Sequence, residues 1–139
     1  MYRGLVRSKR RDPILIADDD AATVEGLREL LNEFGYKVVT AADGQEAMNL
    51  LVGGLVPSLL IIDIGMPHVA GDELLKYVQA DPYLRHIPVL VVTGTPERVG
   101  RTVSDAVIEK PVNVIELMAH VNRLTSRRHD KGIEAGTRQ

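Results

Sequence analysis

Four short segments of the chain place chemically reactive side chains at or shortly after the ends of apolar runs. Asp18-Asp19-Asp20 follows residues 14–17, Asp63 follows residues 59–62, Thr93 follows residues 89–92, and Lys110-Pro111 lies shortly after residues 106–108. In an open parallel sheet, the carboxyl ends of the strands line one crevice, and ligands bind there. We therefore expect carboxylates, a hydroxyl and an ammonium to meet in one site. That combination suits a hard divalent cation together with a phosphoryl group.

Asp63 is the best candidate for a phosphoryl acceptor, because it stands alone at the end of the most apolar run. Transfer to a carboxylate needs a nearby cation, which offsets repulsion between the incoming phosphate and the local negative charge. Asp18, Asp19 and Asp63 can supply oxygen ligands for Mg²⁺. Simpler roles stay open, since Asp63 can merely begin a loop and one of Asp18-Asp19-Asp20 can merely cap a helix.

Thr93 and Lys110 offer the groups that would hold a phosphoryl oxygen. The Thr93 hydroxyl can donate a hydrogen bond, and the Lys110 ammonium can reach the same oxygens. Each signal is weak alone, because a β-branched residue often ends a strand and Lys-Pro also marks turns. The sequence leaves the cis or trans state of the bond before Pro111 open.

Alternating strand and helix patterns predict the frame that positions these residues. Strands are predicted over residues 14–17, 36–40, 59–62, 89–92 and 106–108, and helical 3/4 spacing recurs between most of them. The segment 95–105 contains Pro96 and Gly100 and has little apolar periodicity, so the fourth helix is shortened. The last helix is predicted over residues 112–126. This alternation favours an α/β fold, a five-stranded parallel sheet with helices on both faces.

Composition and charge limit the class of protein. The chain has 139 residues, of which 45% are apolar, and it has no cysteine, which excludes disulfides and thiolate metal sites. No apolar run approaches the roughly 20 residues of a membrane span, and the start lacks a signal-peptide pattern. We therefore expect a cytoplasmic protein without a membrane span.

Three regions are expected along the chain. Residues 1–12 form a basic extension, residues 13–126 form one domain, and residues 127–139 form a polar tail predicted to be disordered. A basic terminus can bind nucleic acid or a membrane surface, but a solvated, frayed end is the simpler interpretation. The tail is too short and polar to fold alone, so we expect no DNA-binding domain in this chain.

Taken in order, these residues resemble the receiver domain of two-component response regulators. The resemblance covers about residues 13–126. It rests on Asp18-Asp19, on Asp63-x-x-Met66-Pro67 with Gly71 following, on Thr93 thirty residues after Asp63, and on Lys110-Pro111. It implies a flavodoxin-like, doubly wound sheet with strand order 2-1-3-4-5.

The resemblance also implies a reaction. Asp63 would accept a phosphoryl group from a histidine kinase or a histidine phosphotransfer protein. Asp19, Asp63 and the backbone carbonyl of Gly65 would bind Mg²⁺ directly, and Asp18 partly through water. The chain would catalyse nothing beyond its own phosphorylation and dephosphorylation.

By the same resemblance, Thr93 and Lys110 would read the phosphoryl group and shift the domain between two states that bind partners differently. The downstream protein is not identified, and a monomer or weak homodimer is expected. Val107 stands where the family usually has Tyr or Phe, so a coupled Thr–aromatic switch is absent or uses other residues. The spacing from Thr93 to Lys110 is also short by about one helical turn, which affects the usual signalling face. Gly65 offers no side chain beside the acyl phosphate, and we hypothesise that this alters its lifetime.

Three other functions have some support in the sequence or are excluded by it. A receiver-like interaction module that acts independently of phosphorylation is favoured by Val107 and the shortened helix. A phosphatase of the haloacid dehalogenase type resembles an Asp-x-Asp motif, and here Gly65 occupies the second position. A flavodoxin-like cofactor binder would offer hydroxyls and glycines to a phosphate, whereas Asp18-Asp19-Asp20 would repel one.

Overall fold

The computed structural model of the chain describes residues 12–66, 69, 71–99 and 104–137. These residues form five strands and four α-helices. The strands are β1 (Ile14–Ala17), β2 (Val38–Ala41), β3 (Leu59–Ile62), β4 (Val89–Thr93) and β5 (Ala106–Glu109). The helices are α1 (Ala21–Glu33), α2 (Gly44–Val52), α3 (Gly71–Ala80) and α4 (Val114–Thr137).

The strands form one parallel sheet in the order β2-β1-β3-β4-β5. This confirms the predicted α/β fold, its parallel pairing and its strand order. Every residue of β1, β3 and β4 is buried, because helices cover both faces of the sheet. That double burial explains why these strands read as continuous aliphatic runs rather than alternating patterns.

Two hydrophobic layers sandwich the sheet. Successive β1 residues point to opposite faces, so Leu15 belongs to one layer and Ile16 to the other. The first layer is closed by α2 and α3, through Ala47, Leu51, Leu74, Leu75 and Val78. The second is closed by α1 and α4, through Leu27, Leu31, Leu117, Val121 and Leu124. Each fully buried Leu or Ile side chain contributes about 1.5–3 kcal/mol relative to its exposed state.

The connection between β4 and β5 is reduced, as predicted. Its described part contains one 3-10 turn, Pro96–Arg98, and Val99 follows with 8% of its surface exposed. Val99 belongs to the same buried cluster as Val91, so this short segment still covers part of the sheet. Residues 100–103, which include the predicted breaker Gly100, lie outside the described residues.

The last helix differs from its prediction at the carboxyl end. α4 continues to Thr137, whereas the sequence pattern placed its end at residue 126 and predicted a disordered tail over residues 127–139. Residues 127–137 lack proline and include several good helix formers, so the helix continues after its apolar stripe ends. Residues 1–11 of the predicted basic extension lie outside the described residues. None of the helices in the described part of the chain combines the length and apolar character needed to cross a bilayer.

Candidate functional site

The register of β1 and β3 brings the predicted carboxylates together. Ala17 pairs with Ile62, and the amide of Asp63 donates to the Ala17 carbonyl at 3.0 Å. The side chains that follow these paired residues therefore emerge side by side at the carboxyl edge of the sheet. One carboxylate oxygen from each of Asp18, Asp19 and Asp63 lies within 4.8 Å of the others. We call these three residues the acidic cluster.

Asp18 is the buried member of the acidic cluster, with 3% of its surface exposed. Its Oδ1 accepts a hydrogen bond from the Asp20 amide at 2.9 Å, and its Oδ2 accepts one from Lys110 Nζ at 2.9 Å. Burial raises the pKa of the Asp18 carboxyl, and these two hydrogen bonds oppose that increase. Both oxygens are thus fixed in place before any ligand arrives.

Lys110 joins the acidic cluster from the far side of the sheet. It directly follows β5, and its Nζ lies 2.9 Å from Asp18 Oδ2 and 3.3 Å from Asp63 Oδ2. Burial lowers the pKa of Lys110, but its hydrogen bonds to Asp18 and Asp63 and the charges of these two carboxylates together outweigh that effect, so its pKa is raised. The lysine is therefore a fixed positive charge between two carboxylates. The Lys110–Pro111 peptide bond is cis.

Asp63 presents one face of its carboxylate to an open space. Its Oδ1 accepts a hydrogen bond from the Gly65 amide at 3.1 Å, and its side chain is 14% exposed. Gly65 is exposed, and a Cβ built there would have Asp63 Oδ1 as its nearest neighbour, at 3.9 Å. No side chain at position 65 therefore covers this side of the Asp63 carboxylate.

Thr93 ends β4 next to Lys110, whose amide donates to the Thr93 carbonyl at 2.9 Å. Thr93 is 1% exposed, and its hydroxyl oxygen lies 3.2 Å from the hydroxyl oxygen of Thr95. The Thr95 amide also donates to Thr93 Oγ1 at 3.1 Å. Thr95 was not among the predicted site residues. A threonine side chain can accept a hydrogen bond from the backbone amide two residues later, whatever that residue is, and this local pattern could have drawn attention to the amide contact.

Asp20 has the capping role that the sequence left open. It is the N-cap of α1, where its side chain accepts hydrogen bonds from the Ala22 amide at 3.1 Å and the Thr23 hydroxyl at 2.8 Å. The hydrogen bond from the Thr23 hydroxyl is the main cause that lowers the pKa of Asp20. Asp20 therefore caps α1 and does not belong to the acidic cluster, which consists of Asp18, Asp19 and Asp63.

Two glycines allow the backbone to pack closely against the loop that follows Asp63. A Cβ at Gly71 would lie 2.6 Å from Ile64 Cα, and a Cβ at Gly44 would lie 1.8 Å from the Val69 carbonyl oxygen. Gly44 begins α2, so this helix packs directly against the loop. The sequence pattern does not indicate this close approach at Gly44. Its contact is visible only in three dimensions. Pro67, His68 and Ala70 lie outside the described residues.

The acidic cluster has the chemistry of a site for a hard cation. Carboxylate oxygens and a backbone carbonyl are the ligands that Mg²⁺ prefers, and Mg²⁺ keeps several waters that an exposed position such as Asp19 can accommodate. Val107, in contrast, is 37% exposed on β5 and offers no polar group to this site. The described residues thus bring together three carboxylates, including the partly exposed Asp63, and the ammonium of Lys110.

A family model and curated relatives both match this chain to response regulators. The family model described as "Response regulator receiver domain" matches residues 14–122. The polar-differentiation response regulators DivK of Brucella anthropi and Brucella ovis are 34% identical to this chain over 106 residues, covering 73% of this chain and 85% of each relative.

Solved structures agree with the fold. A signal receiver domain of a histidine kinase from Syntrophus aciditrophicus has a TM-score of 0.75 at 32% identity, covering 83% of this chain and 90% of that one. The response regulator TrrA of Thermotoga maritima, in complex with Mg²⁺ and BeF, has a TM-score of 0.72 at 29% identity, covering 81% of this chain and 98% of that one.

Proposed function

This chain belongs to the response regulator receiver domain family, and we propose that it accepts a phosphoryl group on Asp63 from a histidine kinase or a histidine phosphotransfer protein. The observation that carries the proposal is the position of Asp63 within the acidic cluster, with Lys110 Nζ 3.3 Å from its Oδ2. A partly exposed carboxylate beside a fixed ammonium is suited to attack a phosphorus atom. In the transfer, the bond from phosphorus to the donor nitrogen breaks as a bond to an Asp63 oxygen forms.

We propose that Asp18, Asp19, Asp63 and the Gly65 carbonyl hold Mg²⁺ at this site. Bound Mg²⁺ would supply positive charge that offsets repulsion between the phosphoryl group and the carboxylates. The buried Asp18 is held by its two hydrogen bonds, so the cluster is pre-formed on that side. The solved complex of the related TrrA protein contains Mg²⁺ and BeF, which supports the same use of the site here.

Thr93 and Lys110 are the proposed readers of the phosphoryl group. The Thr93 hydroxyl would donate to one phosphoryl oxygen, and the Lys110 ammonium would pair with another. Both residues meet at the ends of β4 and β5, where their backbones share a hydrogen bond. We propose that these contacts shift the domain, formed by residues 13–126, toward a state with different partner affinity. We propose a cytoplasmic location, which the match to the receiver-domain family supports.

A second function has one specific observation in its favour. Val107 is 37% exposed, and the described connection between β4 and β5 contains one 3-10 turn. An apolar side chain on a thinly covered edge strand suits a receiver-like module that binds a partner independently of phosphorylation. Under this alternative, partner affinity would not respond to phosphorylation or to a beryllofluoride mimic.

The deciding experiment is the intact mass of the protein after incubation with acetyl phosphate and Mg²⁺. We expect one phosphoryl adduct on the wild type, none on Asp63→Asn, and none when a chelator removes the metal. Asp72→Asn, which changes an exposed aspartate on α3, serves as the matched control and should be phosphorylated normally. A folded wild type that binds Mg²⁺ but forms no adduct would favour the phosphorylation-independent module.

A further inference from the structure

The hydroxyl of Thr93 is held by its near neighbour Thr95. The Thr95 amide donates to Thr93 Oγ1 at 3.1 Å, and the two hydroxyl oxygens lie 3.2 Å apart. Thr93 is 1% exposed, whereas Thr95 lies partly exposed in the loop that follows β4. Within the described part of the chain, these are the contacts that the structure gives to the Thr93 hydroxyl.

The burial of the two residues assigns the direction of the hydroxyl–hydroxyl bond. A threonine hydroxyl has one donor and two acceptor sites, and the Thr95 amide occupies one acceptor site of Thr93. The buried Thr93 O–H needs a protein acceptor, because a buried donor without a partner carries a desolvation penalty. Thr95 can exchange its own O–H with water. The distance alone allows either hydroxyl to donate, and the burial of Thr93 favours Thr93 as the donor and Thr95 Oγ1 as the acceptor.

We propose that Thr95 is a positioning residue that competes with a phosphoryl group on Asp63 for the single O–H of Thr93. This inference rests on the proposed function, in which Thr93 donates to a phosphoryl oxygen. One proton cannot serve both acceptors, so phosphorylation exchanges the Thr93–Thr95 bond for a Thr93–phosphoryl bond. Thr95 thus weakens the binding of a phosphoryl group and stabilises the resting state.

The same exchange connects the site to the loop after β4. Thr95 immediately precedes the 3-10 turn, Pro96–Arg98, and the turn leads to the buried Val99. Val107 has neither a hydroxyl nor a ring with which to follow the movement of Thr93. When Thr95 loses its hydrogen bond from Thr93, this turn is the segment freed to change its position.

The test measures the affinity of beryllofluoride, a phosphoryl mimic, by calorimetry in the presence of Mg²⁺. Thr95→Val keeps the shape and the backbone amide but removes the acceptor, so binding should become about threefold to tenfold tighter, the effect of one modest hydrogen bond. Thr95→Ser keeps the acceptor and should restore wild-type affinity. In a Thr93→Val background, Thr95→Val should have no further effect, because no hydroxyl proton remains to compete for.

A second readout needs neither metal nor phosphate. In the metal-free protein, Thr95→Val should move the NMR signal of the Thr93 methyl group toward its position in the beryllofluoride-bound wild type. An unchanged methyl signal together with unchanged affinity would overturn the inference, as would the same affinity gain in the Thr93→Val background. If the wild type itself fails to bind beryllofluoride, the proposed function fails, and this inference fails with it.

Discussion

Lys110 and Asp18 form a hydrogen-bonded ion pair although their strands are not neighbours. Lys110 Nζ lies 2.9 Å from Asp18 Oδ2, while β3 and β4 separate β1 from β5 in the sheet. The pair exists because the lysine side chain extends over the carboxyl edge of the sheet. The negative charge of the acidic cluster is consequently offset in part by a lysine that directly follows β5, an edge strand of the sheet.

Removing the lysine charge should destabilise the metal-free protein. Lys110→Met leaves the buried Asp18 without its ammonium donor and leaves its repulsion with Asp63 unopposed. We expect the free energy of unfolding in urea with chelator to fall by about 1–3 kcal/mol, and saturating Mg²⁺ to recover part of the loss. Lys76→Met on the exposed side of α3 is the control. Equal stability of Lys110→Met and wild type without metal would contradict the role given to this pair.

The pH dependence of stability should carry a signature of Asp18. Because burial raises its pKa, folded Asp18 binds a proton at a pH where the unfolded chain has already lost it. Its contribution to stability is complete below the unfolded pKa and is lost as pH rises through the folded pKa. The stability of metal-free wild type relative to Asp18→Asn should therefore decrease as pH rises from 3.8, the ordinary pKa of an aspartate, through the raised pKa of folded Asp18.

The charges beside Asp18 do not reverse that sign. Lys110 has a raised pKa and stays protonated over this interval, and the charge of Asp63 raises the pKa of Asp18 further. Urea unfolding with chelator at several pH values measures the difference between the two proteins. A difference that is constant with pH, or that grows with pH, would show that Asp18 ionises without a burial penalty.

Asp19 should matter for the cation and little for the fold. It is the exposed member of the acidic cluster, and its loss removes a charged ligand without uncovering the core. We expect Asp19→Asn to weaken Mg²⁺ binding about tenfold or more, measured by calorimetry, with the urea midpoint of the metal-free protein unchanged. Glu33→Gln, at the other end of α1, is the charge-matched control. Wild-type Mg²⁺ affinity in Asp19→Asn would exclude this residue from the site.

The sequence predicted the sheet and the position of the candidate site because both follow from local patterns. Aliphatic runs that are followed directly by Asp18, Asp63 and Thr93 indicate buried parallel strands and the positions of their carboxyl ends. Once the strands are parallel, these side chains must share one edge of the sheet. The strand order 2-1-3-4-5 came from the resemblance to the receiver-domain family, and the structure confirms it.

Features that depend on the direction of individual side chains or on close approaches in the folded chain could not be predicted. Which aspartate of the 18–20 run caps α1 depends on the direction of each side chain where the helix begins. The contact between the Thr95 and Thr93 hydroxyls depends on the conformation of the turn after β4. The need for glycine at position 44 depends on how closely the Val69 carbonyl approaches it. The extension of α4 beyond residue 126 could not be predicted from the apolar stripe, because the stripe ends before the helix does.

Gly26 offers a gain in stability. It lies in the middle of the exposed face of α1, and a Cβ there would meet nothing within 4 Å. Gly26→Ala should raise the free energy of unfolding by about 0.5–1 kcal/mol, because alanine loses less backbone entropy in a helix. Gly44→Ala is the contrasting variant and should be destabilised, since its Cβ would lie 1.8 Å from the Val69 carbonyl oxygen. Urea unfolding of both variants checks the prediction, and destabilised Gly26→Ala would refute it.

Gly65 leaves the space beside Asp63 unfilled, and filling it should change the lifetime of the aspartyl phosphate. A Cβ at this position would lie 3.9 Å from Asp63 Oδ1, so an Asn side chain fits and brings an amide toward the acceptor. That amide can hydrogen-bond a phosphoryl oxygen or the water that attacks the phosphorus. We expect Gly65→Asn to change the decay rate by about threefold or more, the effect of one modest hydrogen bond.

Gly65→Ala separates the polar effect from simple filling of the space, because it adds a Cβ without an amide. Decay is followed by intact mass after acetyl phosphate is removed, in the presence of Mg²⁺, for the wild type and both variants. A change confined to Gly65→Asn assigns the effect to its amide, and an equal change in Gly65→Ala assigns it to the exclusion of water. If all three proteins lose the phosphoryl group at the same rate, the open space beside Asp63 has no bearing on the lifetime of the signal.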